Sequence, residues 1–462
     1  MAVVMPFTTL VGGDYNELTK FLVSEYNIEY VISGLGRMAF SENTQFSELL
    51  FVARKERPKN PHFTVLVLTK TSPISWKEED IKSITSIAKQ SAALGKKLET
   101  ELCLAIPFDQ RELLPEGKTL TGLVAELDQS YKKAGTELES IIEKNPLIST
   151  IGKLEESGVF EMKVAEVVHG KSSTGGGHAL NRFGGDALIA CRTEERALRK
   201  HERLIYTGQK GRNLLFQDRV TKDTFAIPQD VIAPALRRFP YIDKFELSGD
   251  EDFVVKEPFN GAKKLFDSIL NQKLAETAYA AFGKEWSHVV ESGSARICFP
   301  GRINLAAPGT RLLAVHSNRP IFMSSFMWGL YGLNNVEEKV ITLWLNSGVF
   351  FYLLLARQTV TGGSWVKLHG KQLKKVQFLD IRKLNKSTIK ELLDIYDELA
   401  RFRWPPLIDQ YSSPPKERRK LDTIILKTLG VKDQKKSERL IHSLYDAIVS
   451  ILTTMKATME AV

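Results

Sequence analysis

The sequence is poor in cysteine. Cys103, Cys191 and Cys298 are its three, scattered over 462 residues with no CxxC spacing and no neighbouring histidine. That argues against a zinc site or a disulfide framework and predicts a reducing, intracellular setting. The eight histidines form no HxxxH or HExxH pattern, and no Gly-x-Ser-x-Gly elbow occurs, so metalloenzyme and hydrolase readings have no motif to stand on. The start is apolar but lacks a basic n-region and a small-residue cleavage site, which argues against a signal peptide. The most membrane-like run, residues 340–356, is uncharged but carries Asn346, Ser347 and Gly348. It falls short of the roughly 18 residues of a spanning helix and predicts a buried one. No internal repeat or low-complexity tract is present.

What remains is an ordinary globular composition, 43% apolar and 26% charged, with a formal charge of +9. A positive excess suits a polyanionic partner; a basic surface with no partner gives the same number. Strand signals occur at Ala2 to Met5, Ile28 to Ser33, Ser47 to Arg54 and Phe63 to Thr69. Asp14 and Glu17 form a capping pair before the helical face Tyr15, Leu18, Phe21 and Leu22. From Trp76 to about Gly158 the pattern predicts mostly helix, with breaks at Pro107, Pro115 and Pro146. Short strands and Gly-rich turns follow to about Ile381. Beyond Asn385 the chain is helical again, with Thr388 and Glu391 as a capping box. Pro405-Pro406 and the charged stretch from Pro414 to Lys420 predict an exposed connector.

Several Gly and Pro clusters imitate chemistry they do not carry. Gly170-Lys171-Ser172 resembles the end of a phosphate-binding loop, but Ala165 stands where the loop needs its first Gly. Ser33-Gly34-Leu35-Gly36 follows a strand, yet only about ten residues separate it from the next one, too few for the crossover helix of a dinucleotide or methyl-donor site. Trp404-Pro405-Pro406-Leu407 and Ser413-Pro414-Pro415-Lys416 both lack the aromatic member of an amino-methyltransferase tetrapeptide.

Residues 163–222 hold twelve Lys or Arg against six Asp or Glu. Gly, Ser, Asn and aromatics are interleaved, as in Lys171-Ser172-Ser173, Asn181-Arg182-Phe183 and Tyr206-Thr207-Gly208-Gln209-Lys210-Gly211-Arg212-Asn213. Short polar and basic side chains on loops suit phosphate positioning and base-edge reading, although a solvated charged face would look similar.

The opening Ala2-Val3-Val4-Met5-Pro6-Phe7-Thr8-Thr9-Leu10 resembles the strand after the catalytic tetrapeptide of N6-adenine DNA methyltransferases, both type I modification subunits and Taq-like enzymes. The following helix, strand, Ala39-Phe40-Ser41-Glu42-Asn43-Thr44 loop and Ser47 to Lys55 strand resemble the family's next elements, in order. Phe160 to Gly170 resembles the opening of a target-recognition domain, and Leu345-Asn346-Ser347 with Thr361-Gly362-Gly363-Ser364-Trp365 its closing segment.

The resemblance implies an α/β fold: a partial Rossmann-like methyltransferase sheet, then a mixed α/β target-recognition domain, then C-terminal helices. The implied divisions are residues 1–72, a mostly helical connection at 73–158, the recognition domain at 159–384 and helices at 385–462. It also implies that Phe40 stacks on the extruded adenine and that Lys171, Ser172, Arg182, Lys210, Arg212 and Trp365 contact double-stranded DNA. The family's Gly-rich S-adenosylmethionine loop and its Asn/Asp/Ser-Pro-Pro-aromatic motif have no counterpart here. The resemblance therefore implies the cytoplasmic, DNA-facing half of a split or truncated restriction-modification or phage-defence methyltransferase. A second polypeptide or upstream sequence would then supply cofactor binding and catalysis. The alternatives are a non-catalytic specificity module and an inactive remnant.

Overall fold

The computed structural model describes residues 1–6, 16–34, 48–57, 63–69, 76–113, 137–164, 188–198, 202–269, 284–324, 327–355, 359–360, 365–368 and 370–460. The fold is mixed α/β with several sheets and a helical C-terminal part.

β1 (Ala2–Pro6), β2 (Asn27–Gly34), β3 (Glu48–Arg54), β4 (Phe63–Thr69), β5 (Leu98–Glu99) and β6 (Cys103–Asp109) form one sheet in the order β1-β3-β2-β4-β6-β5. β2 and β4 pair parallel; the other neighbours are antiparallel. β4 reads as an unbroken apolar run because both of its faces are covered. Leu66 and Leu68 meet Leu22 and Val23 of α1 (Asn16–Glu25) on one side. Val65 and Val67 meet Ile84 and Ala88 of α2 (Glu78–Leu94) on the other. The buried Gln110 amide ties α1 to the sheet: it donates to the Val23 and Tyr26 carbonyls at 2.8 and 3.1 Å and accepts from Ile28 N at 3.0 Å. β1 lies at the edge of the sheet, with Val3 and Val4 37% and 43% exposed.

The stretch from Trp76 to Gly158, expected to be mostly helical, also holds β5 and β6. Pro107 sits inside β6 opposite Val65 rather than breaking it. β5 pairs only with Leu104 and Ala105, so among the described residues Pro107 occupies a part of β6 with no strand on its outer side.

The later strands are β7 (Ile148–Thr150), β8 (Glu161–Val164), β9 (Ile189–Ala190), β10 (Leu204–Lys210), β11 (Asn213–Asp218), β12 (Thr224–Pro228), β13 (Ile232–Leu236) and β14 (Asp252–Val255). β15 (Ser294–Pro300), β16 (Arg302–Asn304), β17 (Val315–Met323), β18 (Met327–Tyr331), β19 (Thr359–Val360), β20 (Trp365–Lys367) and β21 (Gln377–Leu379) complete them. A seven-stranded sheet runs β8-β18-β15-β17-β13-β14-β9, flanked by the small sheets β10-β11-β12, β16-β20-β19 and β21-β7. One continuous set of buried side chains, from Leu138 to Leu452, joins this sheet to α3 (Ala262–Ile269), α5 (Asn335–Leu345), α6 (Gly348–Leu355), α7 (Lys386–Leu399), α8 (Lys416–Thr428) and α9 (Gln434–Glu460). Helix α4 (Lys284–Ser292) adds Trp286 to the same core.

The apolar run at 340–356 becomes α5 and α6, bent by 62° and buried throughout α6. No single helix among the described residues is long and apolar enough to cross a membrane. Asn346, at the bend, accepts from Leu313 N and Ala314 N at 2.9 and 3.1 Å and donates to the Ala314 and Thr342 carbonyls at 2.9 and 3.0 Å. Arg418, 1% exposed, donates to Asn346 O at 2.6 Å and to Gln410, and its guanidinium lies 4.7 Å from the Trp404 ring. Asp422 accepts from Gly348 N at 2.6 Å and from the Tyr445 hydroxyl at 2.8 Å.

The exposed connector is thereby corrected. Trp404, Leu407 and Arg418 are buried, and the Pro-rich stretch is a strut pinned by the Arg418 contacts. The cap of α7 also differs from expectation: Asn385 accepts from Thr388 N at 2.9 Å, while Glu391 pairs with Lys427 at 2.6 Å.

A second buried polar cluster surrounds His316 of β17. Its Nε2 lies 3.3 Å from Glu338, and its Nδ1 lies 3.3 Å from Glu246 and 2.9 Å from the Tyr396 hydroxyl. Burial alone would lower the imidazole pKa, but the two carboxylates outweigh it and raise it above its ordinary value. Burial likewise acts to raise Glu246; hydrogen bonds from His316 and Ser248 dominate and bring it down to about 2.

Candidate nucleic-acid interface

The described part of the basic segment at 163–222 divides into cations that hold the fold and cations that face solvent. Lys163, on β8, pairs with Glu161 at one edge of the seven-stranded sheet. The remainder lies at the opposite edge, where β9 borders β14. There Cys191 bridges to Ile205, accepting from Tyr206 N and donating to Leu204 O, each at 2.9 Å, and so anchors β10 to the sheet. Arg196 meets the buried Asp252 at 3.3 Å. Arg203 pairs with the buried Asp218 at the base of the hairpin, with Nε donating at 3.1 Å. Burial acts to raise the Asp218 pKa, but Arg203 and the Val220 and Thr221 amides outweigh it, and the carboxyl titrates below its usual range. These bonds close the turn in which Lys222 adopts φ 66°.

Beyond this anchor β10 and β11 project as a hairpin, stiffened on its inner face by Tyr206, Leu214 and Phe216 and by the Phe253 ring 4.9 Å from Tyr206. Lys210 pairs with Asn213 across the two-residue turn Gly211-Arg212, with Gly211 at φ 60°, which an L side chain adopts only at a cost. Lys210 and Arg212 are both exposed at the tip and have no ion-pair partner among the described residues. No Asp or Glu occurs between Leu204 and Gln217. Thr207 and Gln209 add exposed donors and acceptors on the same strand as Lys210.

Of the sequence-predicted contacts, Lys210 and Arg212 thus come together. Trp365 opens β20, its backbone opposite Asn304 of β16 in a different small sheet, and its side chain lies outside the described residues. Phe40, Lys171, Ser172 and Arg182 also lie outside them. Ser33 and Gly34 end β2, and the next described strand, β3, runs antiparallel beside it rather than in the parallel pairing of a methyl-donor crossover unit. The described part of this cluster, Ser33 and Gly34, belongs to strand β2 and does not fit an S-adenosylmethionine loop.

Sequence reasoning missed a cavity of about 470 Å³ between β13, β16 and the loop after β16. Its wall includes Arg237, Arg238, Tyr241, Arg302, Asn304 and Ser324, and none of its lining residues is acidic. Glu202, fully buried behind this wall, accepts from Arg238 Nε at 2.5 Å and lies 3.3 Å from Arg237 Nε. Arg237 also bonds Ser324 and donates its backbone N–H to Asp252 at 3.0 Å. The only signal in the sequence was the adjacency Arg237-Arg238-Phe239-Pro240-Tyr241, which no motif describes.

Among solved structures, the chain is similar to the type IIG restriction endonuclease BpuSI, with a TM-score of 0.45 and 15% identity, over 100% of this chain and 47% of that one. It is also similar to the type IIL restriction-modification enzyme MmeI in complex with DNA, with a TM-score of 0.40 and 10% identity, over 98% of this chain and 50% of the other. The chain spans about half the length of each. No family model and no curated protein matches it.

Proposed function

We propose that this chain is the DNA-recognising portion of a site-specific adenine N6-methyltransferase of a restriction-modification system. The observation that carries the reading is the hairpin tip: two exposed cations, Lys210 and Arg212, on a rigid turn with no carboxylate between Leu204 and Gln217. Such a finger lies along phosphates and brings the polar residues beside it to the groove. The family resemblance supplies the rest of the reading. Phe40 stacks on an adenine extruded at a cost of a few kcal/mol, returning about 1–3 kcal/mol. The methyl donor and the amine-holding tetrapeptide come from another segment or polypeptide.

Duplex binding followed by fluorescence anisotropy across a salt series tests the reading. Each neutralised phosphate contributes about −0.9 to the slope of log K against log salt, so Lys210→Ala with Arg212→Ala should flatten it by about two units. Neutral changes on α9 should leave it alone. An unchanged slope in the double variant would sink the assignment of this hairpin to DNA.

A further inference from the structure

The polar neutral side chains near the hairpin tip are spent differently. Gln209 Nε2 donates to the Gly211 carbonyl at 3.0 Å, and Thr207 Oγ1 donates to the Leu215 carbonyl at 3.2 Å. The Asn213 side-chain amide, half-buried on β11, bonds no group among the described residues. The turn does not need it. Gly211, at φ 60°, opens the two residues that join Lys210 to Asn213, and the Arg212 carbonyl accepts from Gln229 N at 2.9 Å. Gln209 on one side and Gln229, just after β12, on the other hold the tip without help from Asn213.

Strand alternation decides what surrounds this amide. Leu214, Phe216, Phe225 and Ile227 point into the core and are buried. Asn213, Leu215 and Gln217 of β11, with Thr224 and Ala226 of β12, therefore form the opposite face of the small sheet. Lys210 lies directly across from Asn213, and Gly208 across from Leu215. None of these residues is acidic. The row behind Asn213 is low, because Gly208 has no side chain and Ala226 only a methyl group. A Cβ placed on Gly208 would meet nothing within 4 Å. A short amide thus stands between long cations on a face with little relief. That shape and charge suit a nucleic-acid groove: the amide reaches the floor, and Lys210 and Arg212 reach the phosphates at its walls.

We infer that the outer face of the β10–β11 ribbon enters the major groove of duplex DNA and that Asn213 reads an adenine there, Oδ1 accepting from N6 and Nδ2 donating to N7. The groove, about 12 Å wide, admits a two-stranded ribbon, and a side-chain amide matches the paired donor and acceptor on the adenine edge. Asn213 is then a specificity-determining residue, and Lys210 and Arg212 fix the register without reading sequence. The inference rests on the reading of the hairpin as a DNA contact and adds to it the base that is read.

The test uses the full chain and a randomised duplex DNA library, with the bound duplexes sequenced. The native chain should enrich a motif that contains a fixed adenine. Asn213→Ala should lose the preference at that position and keep the rest of the motif, while thermal melting confirms a folded chain. Replacing that adenine by 7-deazaadenine, which lacks the N7 acceptor, should weaken the native chain about tenfold and the variant not at all. Asn213→Ala exchanges one neutral residue for another, so its salt slope should equal that of the native chain. Duplex RNA of the same motif should compete poorly, because the A-form major groove is too narrow for side chains to read. The inference is overturned if the native chain enriches no motif, if Asn213→Ala keeps every position, or if the RNA competes as well as the DNA. The salt slope separates the two claims. A slope flattened by Lys210→Ala with Arg212→Ala, beside a motif untouched by Asn213→Ala, keeps the hairpin on DNA and removes the base contact alone. A slope that the double variant leaves unchanged fails the hairpin reading, and the inference with it.

Discussion

The amino-terminal sheet and the body that follows it spend their polar groups differently. In the sheet, β4 is apolar on both faces, two helices cover it, and the buried side-chain hydrogen bonds come from Gln110 and a few hydroxyls such as Thr64. In the body, buried charge holds irregular chain in place: Arg418 and Asp422 grip the break between α5 and α6, His316 joins two carboxylates, and Asp218 and Asp252 anchor the loops around the hairpin. The lesson is geometric. A regular sheet satisfies its own backbone, whereas loops and broken helices leave N–H and C=O groups that side chains must meet. At the hairpin tip, by contrast, Lys210 and Arg212 are exposed and have no ion-pair partner among the described residues.

The largest way to break this comparison is at Arg418. Arg418→Ala strands the Asn346 carbonyl and Asp422 in the core and should cost about 3–5 kcal/mol in urea unfolding. Arg418→Lys should recover little, because a point charge does not reproduce the fork and ring contact. A loss near the size of a surface substitution would mean the strut is not held this way.

In the sheet the corresponding test is purely apolar. Leu66→Ala should cost about 2–5 kcal/mol, with no dependence on pH near neutrality. The clusters around α1 and α2 are separate from the large core, so calorimetry should show the loss in the sheet's own transition and leave that of the body in place. A uniform shift of a single transition would erase the distinction between the two regions.

The His316 cluster sharpens it further. The raised imidazole pKa contributes stability that is full below the unfolded value of about 6.5 and is lost as pH rises through the folded value. Glu246, held down to about 2, contributes stability that is present above its unfolded value of about 4.3 and is lost as pH falls toward the folded one. The difference between the native chain and His316→Gln should therefore be greatest near pH 5–6 and shrink toward pH 9. A difference constant over that range would show that the imidazole is not charged in the folded state.

The smallest expected effect is at the sheet edge. Val4→Lys changes a 43%-exposed residue and should alter stability by no more than about 0.5 kcal/mol. It should nevertheless reduce self-association by sedimentation, because Lys on an edge strand blocks strand addition. Unchanged association would show that β1 is not a sticky edge.

The first four strands were legible because alternation and turn residues are local. Ala2 to Met5, Ile28 to Ser33 and Phe63 to Thr69 fall within β1, β2 and β4 as observed. β6 was missed because Pro107 breaks the pattern; only its neighbours show that, among the described residues, β5 stops short of Pro107. The hairpin at Lys210-Gly211-Arg212 could be placed from its Gly-containing turn. Which of the nearby cations point outward could not.

The sequence alone therefore determined the mixed α/β class, the places of the first four strands, the buried nature of the run at 340–356 and the basic bias of residues 163–222, since each depends on residues a few positions apart. Tertiary structure decided the rest. It sent Arg196, Arg203 and Arg418 inward to partners from 4 to 72 residues away and left Lys210 and Arg212 outside. It also assembled Arg237, Arg238 and Arg302 around one cavity. A charge has no sidedness in sequence; whether it braces the fold or meets a ligand depends on what the folded chain brings within about 4 Å of it.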